Sequence, residues 1–326
     1  MNSTIDRKRI FIFVAITYGF SIVLALVIYL NGGIFVKFPF VLTPLAMALM
    51  LLLMFSPAIA NIATRLITRE GWSNMLLRPN FRRGWPLYLA ALFLPALATI
   101  VGGAVYYLLF PGRYDPSMAY ARETLGVVLP AGVKDVWTFL LIVTPIAIAQ
   151  SLLNLPRVFG EEFGWRAYLL PKLLPLGARK ASLLIGAIWA VWHWPYVFMG
   201  YEYGFSYWGT PVVGPLLWVV ICSFFSIFLT WVTLRSGSVW PAALGHGVTN
   251  ATASLMLFFV RGEPQSLIGP LPVGIIGSLG YAAMAVLIFF SARALAQPAP
   301  APVDMALSEK PGAVEKAADQ ASLGTA

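Results

Sequence analysis

Long runs of apolar residues, separated by short polar segments, dominate the hydrophobic pattern of the chain. A bilayer core of about 30 Å requires about 20 apolar residues in one helix. Eight runs come close to that length or exceed it: 10–30, 40–64, 86–110, 136–172, 181–199, 212–234, 239–260 and 271–292. The pattern therefore predicts an all-α, polytopic transmembrane helix bundle of about eight spans.

The fourth run is longer than one span and contains three prolines, Pro145, Pro156 and Pro171. Proline removes a backbone donor and kinks or ends a helix. Two readings of 136–172 follow. It is either one long kinked helix, or a span followed by a shorter helix.

Basic residues set the orientation, because loops on the cytoplasmic side of a membrane protein are rich in Lys and Arg. With a cytoplasmic N-terminus, seventeen of the 22 basic residues fall on the cytoplasmic side. Only five fall outside: Lys37, Arg113, Arg122, Lys134 and Arg261. We therefore expect both termini to be cytoplasmic.

Composition agrees with the membrane class. Hydrophobic residues make up 59% of the chain and charged residues 11%, against roughly 25% charged residues in a soluble domain. The net charge of +9 lies in the membrane flanks, so we expect a lipid bilayer as partner and no nucleic acid. The one cysteine, Cys222, lies in an apolar run and excludes an internal disulfide.

The two ends of the chain differ in character. The run from Ile10 to Leu30 is too long for a signal-peptide core, so we expect it to be retained as the first span. Residues 297–326 are rich in Ala and Pro and are expected to be a disordered cytoplasmic tail. The predicted organisation is a membrane domain over 1–296 and this tail, in a multi-pass protein of the cell (plasma) membrane.

Two acids stand inside apolar sequence. Glu161 and Glu162 occur in FGEEFGWRAYLLPKL, residues 159–173, whereas the other acids lie near span ends or in loops. A charge at the centre of a bilayer costs between ~3 and ~15 kcal/mol, so such residues face a protein or water-filled interior and are functional candidates. The alternative is an interfacial helix with solvated acids.

The two histidines of the chain, His193 and His246, also lie in apolar runs. At 1.5 Å per residue, Glu161 lies roughly 16 Å above Lys172, His193 roughly 20 Å above Lys180, and His246 roughly 14 Å above the turn at Gly237. A lone histidine of this kind is more often a packed core residue. Three polar positions at similar depth instead indicate one site.

Helical spacing separates the two acids. Glu162 and Arg166 are four residues apart and share a helix face, which predicts an ion pair that supports the site. Glu161 points about 100° away from that pair and is left for chemistry. His246 and Asn250 are also four apart, so both side chains point into one region.

These groups suit peptide hydrolysis. A carboxylate beside a histidine can take a proton from water while the water attacks a carbonyl, and a second histidine with an amide can stabilise the oxyanion. Glu161, His193 and His246 could instead hold a Zn²⁺ ion with an open position for water. The spacing leaves metal-free and zinc chemistry both open.

Three motifs together resemble the CPBP family of intramembrane proteases: Glu161-Glu162-x-x-x-Arg166, Trp189-x-x-x-His193 and His246-x-x-x-Asn250. This family includes the type II CAAX prenyl endopeptidases and Abi-like bacterial proteins linked to bacteriocin processing and immunity. The resemblance covers about 135–260. One departure is Trp189, where the family usually has Phe.

The resemblance implies a helical fold with a cytoplasm-facing cavity. It also implies that Glu161 and His193 activate water, that His246 and Asn250 form the oxyanion site, and that Glu162 and Arg166 support them. The substrate would be a peptide or protein at the membrane, including CAAX-like peptides. The family leaves zinc as an open cofactor, because its members are described both as glutamate proteases and as metalloproteases.

Two other functions compete with the protease. Intramembrane Glu and His residues also occur in transporters and proton relays, which need polar positions continuing to the outer side. A non-catalytic immunity or interaction protein could keep the same fold.

Overall fold

The computed structural model describes residues 5–37 and 41–296, so residues 1–4, 38–40 and the predicted tail 297–326 lie outside it. The described part contains eleven α-helices: α1 Arg7–Leu30, α2 Pro44–Leu53, α3 Ser56–Thr68, α4 Phe81–Leu109, α5 Val136–Leu153, α6 Leu155–Gly164, α7 Leu170–Leu173, α8 Ala178–Val197, α9 Val213–Ser236, α10 Trp240–Thr252 and α11 Leu279–Phe290. Two short antiparallel strands, β1 Phe35–Lys37 and β2 Val41–Leu42, join α1 to α2. Shorter turns are 3-10 helical at Pro111–Arg113, Leu174–Leu176 and Leu255–Phe259 and π-helical at Tyr120–Thr124 and Trp165–Leu169.

The predicted helical membrane bundle is confirmed. Within the described residues, five helical segments are long and apolar enough to cross a bilayer: Arg7–Leu30, Pro44–Thr68, Phe81–Leu109, Val136–Leu153 and Val213–Ser236. Many large apolar side chains on these segments are exposed to the outside of the bundle, as lipid contact requires. The chain is an integral membrane protein.

The other three predicted spans differ from full-length apolar helices. Helix α8 has 20 residues but carries Arg179, Lys180 and His193. Helices α10 and α11 have 13 and 12 residues, or about 18–20 Å at 1.5 Å per residue, which is less than the bilayer core. Helix α11 starts at Leu279 and not near 271, because Pro270 and Pro272 keep the preceding segment non-helical.

Two of the predicted spans are broken by proline. The second span divides at Met54–Phe55, and Pro57 stands in the first turn of α3. The fourth divides at Asn154, with Pro156 in the first turn of α6. Proline suits this position, where its missing N–H costs no hydrogen bond. The fourth run is thus a span followed by a shorter helix.

From Leu155 to Leu173 the chain stays helical, but the turn at Trp165–Leu169 is widened to a π-helix. Pro171 explains the widening, because its ring would clash with the carbonyl four residues earlier in a regular α-helix. Helix α6 lies close against α3: a Cβ at Gly164 would be 2.3 Å from the Pro57 side chain. Only glycine permits this approach, which brings the acid pair into the core.

Polar contacts tie together the end of the bundle that carries the basic loops. Arg65 binds the loop after α3 through the Gly71 carbonyl at 2.8 Å, and the Trp240 indole N–H donates to the Leu77 carbonyl at 2.7 Å. Glu70 contacts Arg9 at 3.4 Å and also binds Lys172. These contacts close the predicted cytoplasmic end. Two basic residues assigned to that side, Arg157 and Arg166, instead lie on helical segments within the bundle.

The predicted orientation can be tested by cysteine labelling. Ser73 and Ser206 are exposed residues of loops at opposite ends of the bundle, and Ser→Cys is nearly isosteric. In a Cys222→Ser background, a membrane-impermeant maleimide should label Ser206→Cys in intact cells. Ser73→Cys should be labelled only after permeabilisation. The reverse pattern would show that the N-terminus is not cytoplasmic.

Glu202, in the loop between α8 and α9, should make stability depend on pH. Burial raises the pKa of this carboxyl from 4.5 to about 7. Between these pH values the folded chain holds a proton that the unfolded chain has lost, so the free energy of unfolding should fall as the pH rises from about 5 to 8. Thermal unfolding in detergent should show this fall, and Glu202→Gln should reduce it. Glu123→Gln, at an exposed acid, should leave it unchanged.

Candidate active site

The four predicted catalytic side chains line one cavity. Glu161 comes from α6, His193 from α8, and His246 and Asn250 from α10. The cavity has a volume of about 440 Å³, which is in the range of small-molecule and peptide sites. Residues that are up to 89 positions apart in the chain are therefore brought to one place.

Glu161 is held by a tryptophan. Its side chain is 3% exposed, and its Oε2 accepts a hydrogen bond from the Trp189 indole N–H at 2.8 Å. The indole ring also packs edge-on against the His246 ring, with centroids 5.1 Å apart. Trp189 thus fixes the carboxylate and contacts a second site residue.

Glu162 is fully buried and points to other partners. Its Oε1 lies 2.8 Å from His246 Nδ1, and its Oε2 lies 3.2 Å from Arg166 Nε. With a carboxylate on Nδ1, His246 carries a proton there and turns its Nε2 away from Glu162. The two adjacent acids therefore have different surroundings, as the helical spacing predicts.

Arg166 is also fully buried, and its two terminal nitrogens have no hydrogen-bond partner among the described residues. Its guanidinium lies over the Trp189 ring, 5.3 Å from the ring centroid. Attraction to Glu162 and to the face of the indole compensates part of the cost of burying this charge. The Trp189 indole thus packs between the Arg166 guanidinium and the Glu161 carboxylate.

The ring of His193 is oriented by its own helix. Nδ1 lies 3.0 Å from the Trp189 carbonyl oxygen, so Nδ1–H donates and Nε2 keeps its lone pair. The indoles of Trp192 and Trp218 pack edge-on against the ring, at 4.6 and 5.4 Å between centroids. These contacts leave Nε2 as the nitrogen available to a bound molecule.

Asn250 lies one turn after His246 on α10 and is exposed. Within the described part of the chain its side-chain amide makes no hydrogen bond, and it lines the cavity. An amide in this position can donate to a bound carbonyl oxygen or oxyanion.

The cavity extends away from the basic loops. Its wall includes Leu42 of β2 and the loop residues Glu202 and Pro272, which lie between helices at the opposite end of the bundle. No lining residue comes from the segments 69–80, 174–177 or 237–239 at the basic end. The cavity and the basic loops thus lie at opposite ends of the bundle, so a cytoplasmic N-terminus and a cytoplasm-facing cavity, which the sequence predicts together, are incompatible in this structure. The physical reason is the closure of the basic end by Arg65 and Trp240.

The predicted zinc ligands do not form a three-ligand set. Among residues 5–37 and 41–296, no three His, Cys, Asp or Glu side chains are grouped as a metal ion requires. Both histidines engage Nδ1, with the Trp189 carbonyl and with Glu162, so Nε2 is the nitrogen that each ring would offer to a metal ion.

Three residues at the site went unrecognised in the sequence. The spacing of four between Trp189 and His193 indicates a shared face but does not reveal that the indole binds Glu161. Arg157 falls among the basic residues that the charge pattern places on the cytoplasmic side, yet it lies four residues before Glu161 and lines the cavity. Glu202 carries no sequence signal, because only the folding of its loop brings it to the cavity.

Comparisons with known proteins match the segment that carries this site. Residues 133–252, which contain all four candidate catalytic residues, match the family model of the type II CAAX prenyl endopeptidase Rce1-like proteins. A relative, CAAX prenyl protease 2 of Methanococcus maripaludis, is 30% identical over 107 residues, which are 32% of this chain and 39% of the relative. The match thus spans about two fifths of the relative's length. The segment 133–252 is therefore similar to the Rce1-like type II CAAX prenyl endopeptidases.

Proposed function

We propose that this chain is an intramembrane endopeptidase that hydrolyses peptide bonds with a water molecule activated by Glu161. The observation that carries the proposal is the single cavity lined by Glu161, His193, His246 and Asn250. A carboxylate, two imidazoles and an amide are the groups that general-base hydrolysis of an amide bond uses. The family match over 133–252 supports the same activity.

In the first step, Glu161 takes a proton from the water as the water oxygen attacks the peptide carbonyl carbon. His193 accepts a hydrogen bond from the same water on Nε2, because its Nδ1–H is bound to the Trp189 carbonyl. The proton on Glu161 then passes to the leaving amine as the C–N bond breaks. The carboxylate is regenerated and no covalent intermediate forms.

The oxyanion of the tetrahedral intermediate is stabilised by His246 and Asn250. His246 must act as an imidazolium, since a neutral ring with its proton on Nδ1 offers no donor on Nε2. Glu162, 2.8 Å from Nδ1, stabilises that positive charge. Glu162 and Arg166 are thus positioning residues that act through His246.

The substrates in this proposal are membrane-associated peptides in the cell membrane. Apolar side chains such as Met47, Leu51 and Met54 form one wall of the cavity, which suits an apolar peptide segment. The relative's name, CAAX prenyl protease 2, supports CAAX-like peptides as the class to test first.

The transporter alternative requires a polar path through both ends of the bundle. Arg65, Trp240 and Asn80 instead bind backbone carbonyls across the basic end. This closure favours a one-sided cavity in which a peptide binds and is cut. A non-catalytic protein would not need a buried carboxylate such as Glu161 at this position, so the non-catalytic alternative leaves Glu161 unexplained.

Replacing the base should abolish cleavage. Glu161→Gln keeps the size of the side chain and an oxygen for the Trp189 N–H but removes the basic carboxylate. We expect kcat to fall by about 10² to 10⁴-fold. The measurement is cleavage of a panel of membrane-proximal peptides by purified protein in detergent or liposomes.

Glu123→Gln, at an exposed acid outside the cavity, is the matched control and should retain full activity. A Glu161→Gln enzyme as active as the wild type would remove the proposed base. The same cleavage assay after treatment with a chelator tests whether the enzyme needs a metal ion. Retained activity supports metal-free chemistry, and a loss of activity that Zn²⁺ restores supports a zinc enzyme.

The Trp189 hydrogen bond should contribute to turnover. Trp189→Phe keeps an aromatic ring and removes the N–H that binds Glu161. A hydrogen bond to a charged group contributes about 1.5–3 kcal/mol, so we expect kcat to fall by about 10-fold or more. This fall in kcat would be measured by steady-state kinetics on the peptide of the panel that the wild type cuts fastest.

Trp194→Phe makes the same change on the same helix, where the indole N–H donates to the Pro215 carbonyl at 3.1 Å. That variant should have a normal kcat. Equal kinetics for the two variants would show that the Trp189 donor has no part in positioning Glu161.

A further inference from the structure

A second cavity, with a volume of about 270 Å³, adjoins the cavity of the candidate active site. None of the four candidate catalytic residues, all in the described part of the chain, lines this second cavity. The two cavities share five lining residues: Tyr201, Glu202, Ala253, Pro272 and Val273. The second cavity is therefore a side chamber, and a peptide bound at Glu161 can extend into it past Glu202.

Within the described residues, one charged side chain lines the second cavity, and it is that of Glu202. Its carboxyl forms no ion pair and no side-chain hydrogen bond with the described part of the chain. By contrast, the carboxyl of Glu70 contacts Arg9 and Lys172. Burial without a partner raises the pKa of Glu202 to about 7, and a cation bound beside it would lower that pKa again.

The arginine of the first cavity does not fill this role. Arg157 lines the first cavity only, whereas Glu202 lines both. No described basic residue, Arg157 included, lies within ion-pair distance of the Glu202 carboxyl. In the second cavity a cation would therefore meet a carboxylate on a wall whose described residues include no basic side chain.

The backbone holds Glu202 in a fixed and unusual conformation. Its φ of 71° is left-handed, a region that residues other than glycine seldom adopt. The turn around it is closed by a hydrogen bond from Gly204 N to the Gly200 carbonyl at 2.9 Å. The Tyr203 hydroxyl donates to the Val273 carbonyl, also at 2.9 Å. Backbone strain that surrounding contacts maintain in this way is concentrated at functional sites.

Two hydroxyl groups add to the polar part of the second cavity. Ser254 and Ser266 both line it, and neither side chain has a hydrogen-bond partner among the described residues. An alkylammonium group has three N–H donors and no acceptor, so a carboxylate and two hydroxyl oxygens match it. Apolar residues such as Leu271 and Val273 complete the wall, which suits the methylene chain that carries an ammonium group. An anion would instead be repelled by Glu202.

We infer that the second cavity binds an alkylammonium group of the peptide substrate, with the Glu202 carboxylate as its ion-pair partner. This inference rests on the proposed endopeptidase function. Because Glu202 lines both cavities, the ammonium group and the bond to be cut belong to one bound peptide. Glu202 thus determines specificity, by selecting peptides with a positive charge at a set distance from the cut bond.

The test measures the binding of short apolar peptides that have both ends blocked and carry a neutral dye. Lysine is placed at each position in turn, and norleucine at the same position gives the matched uncharged peptide. Full-length Glu161→Gln protein in detergent is used, so that binding is measured without cleavage. At one position or two neighbouring ones, the lysine peptide should bind about 10-fold or more tightly than the norleucine peptide.

Glu202→Gln in the same background keeps the size of the side chain and removes its charge, so the ratio of the two Kd values should fall close to one. The norleucine peptide should bind with an unchanged Kd, which shows that the cavities are intact. Glu123→Gln, at an exposed acid that lines neither cavity, should keep the preference for lysine. A preference that Glu202→Gln leaves unchanged, or that Glu123→Gln removes equally, would overturn the inference.

The free N-terminus of a peptide is the other source of an alkylammonium group. A second arm therefore compares the lysine-free peptide with a free and with an acetylated N-terminus. A Glu202-dependent gain in this arm alone identifies the N-terminal ammonium as the ligand, and equal binding of charged and uncharged peptides in both arms contradicts the inference. Failure of the proposed function gives a different result: the wild type would cut none of the peptides, whatever their binding ratios.

Discussion

Two carboxylates buried side by side in a membrane bundle would repel each other, and the arrangement of the site depends on giving each its own partners. Glu162 contacts His246 and Arg166, and Glu161 accepts from Trp189. Because the acids are adjacent on α6, their side chains leave the helix about 100° apart. One acid is neutralised by cations and the other faces the cavity. In the proposed mechanism the first acid supports the site and the second is the base, so a pair that is costly in a bilayer is divided between two roles.

The same division gives the two histidines different partners. His246 Nδ1 binds a carboxylate, whereas His193 Nδ1 binds a backbone carbonyl. In the proposed mechanism the first ring stabilises negative charge and the second accepts a hydrogen bond from water. Trp189 connects the two, because its carbonyl binds one ring, its indole packs on the other, and its N–H binds Glu161. The function of the site is therefore sensitive to how α8 packs on α6 and α10.

The sequence predicts most of what depends on local patterns. Apolar runs locate the spans, and four-residue spacing brings Glu162 to Arg166 and His246 to Asn250, since these relations follow from helix geometry alone. The role of Trp189 depends on α6, which is distant in sequence, so its own motif does not reveal it. The direction of the cavity depends on which loops close by hydrogen bonds such as Trp240 to Leu77, and the charge pattern does not report this. The length of the short α10 depends on how this buried helix packs inside the other spans, and the short α11 begins only after Pro270 and Pro272.

The breaks in the helices and the position of the cavity have a common cause. Irregular backbone at membrane depth is tolerated only where protein buries it or where it lines a polar cavity. The α2–α3 break at Met54 and the α5–α6 break at Asn154 both lie on the cavity wall, and a Cβ at Gly160 would be 2.8 Å from the Met54 carbonyl oxygen. Pro57 and Pro156, which follow these breaks, therefore locate the site as clearly as its acids do. In the fourth span, the break at Asn154, the proline two residues later and the acid at Glu161 follow one another within eight residues, and both the break and the acid line the cavity.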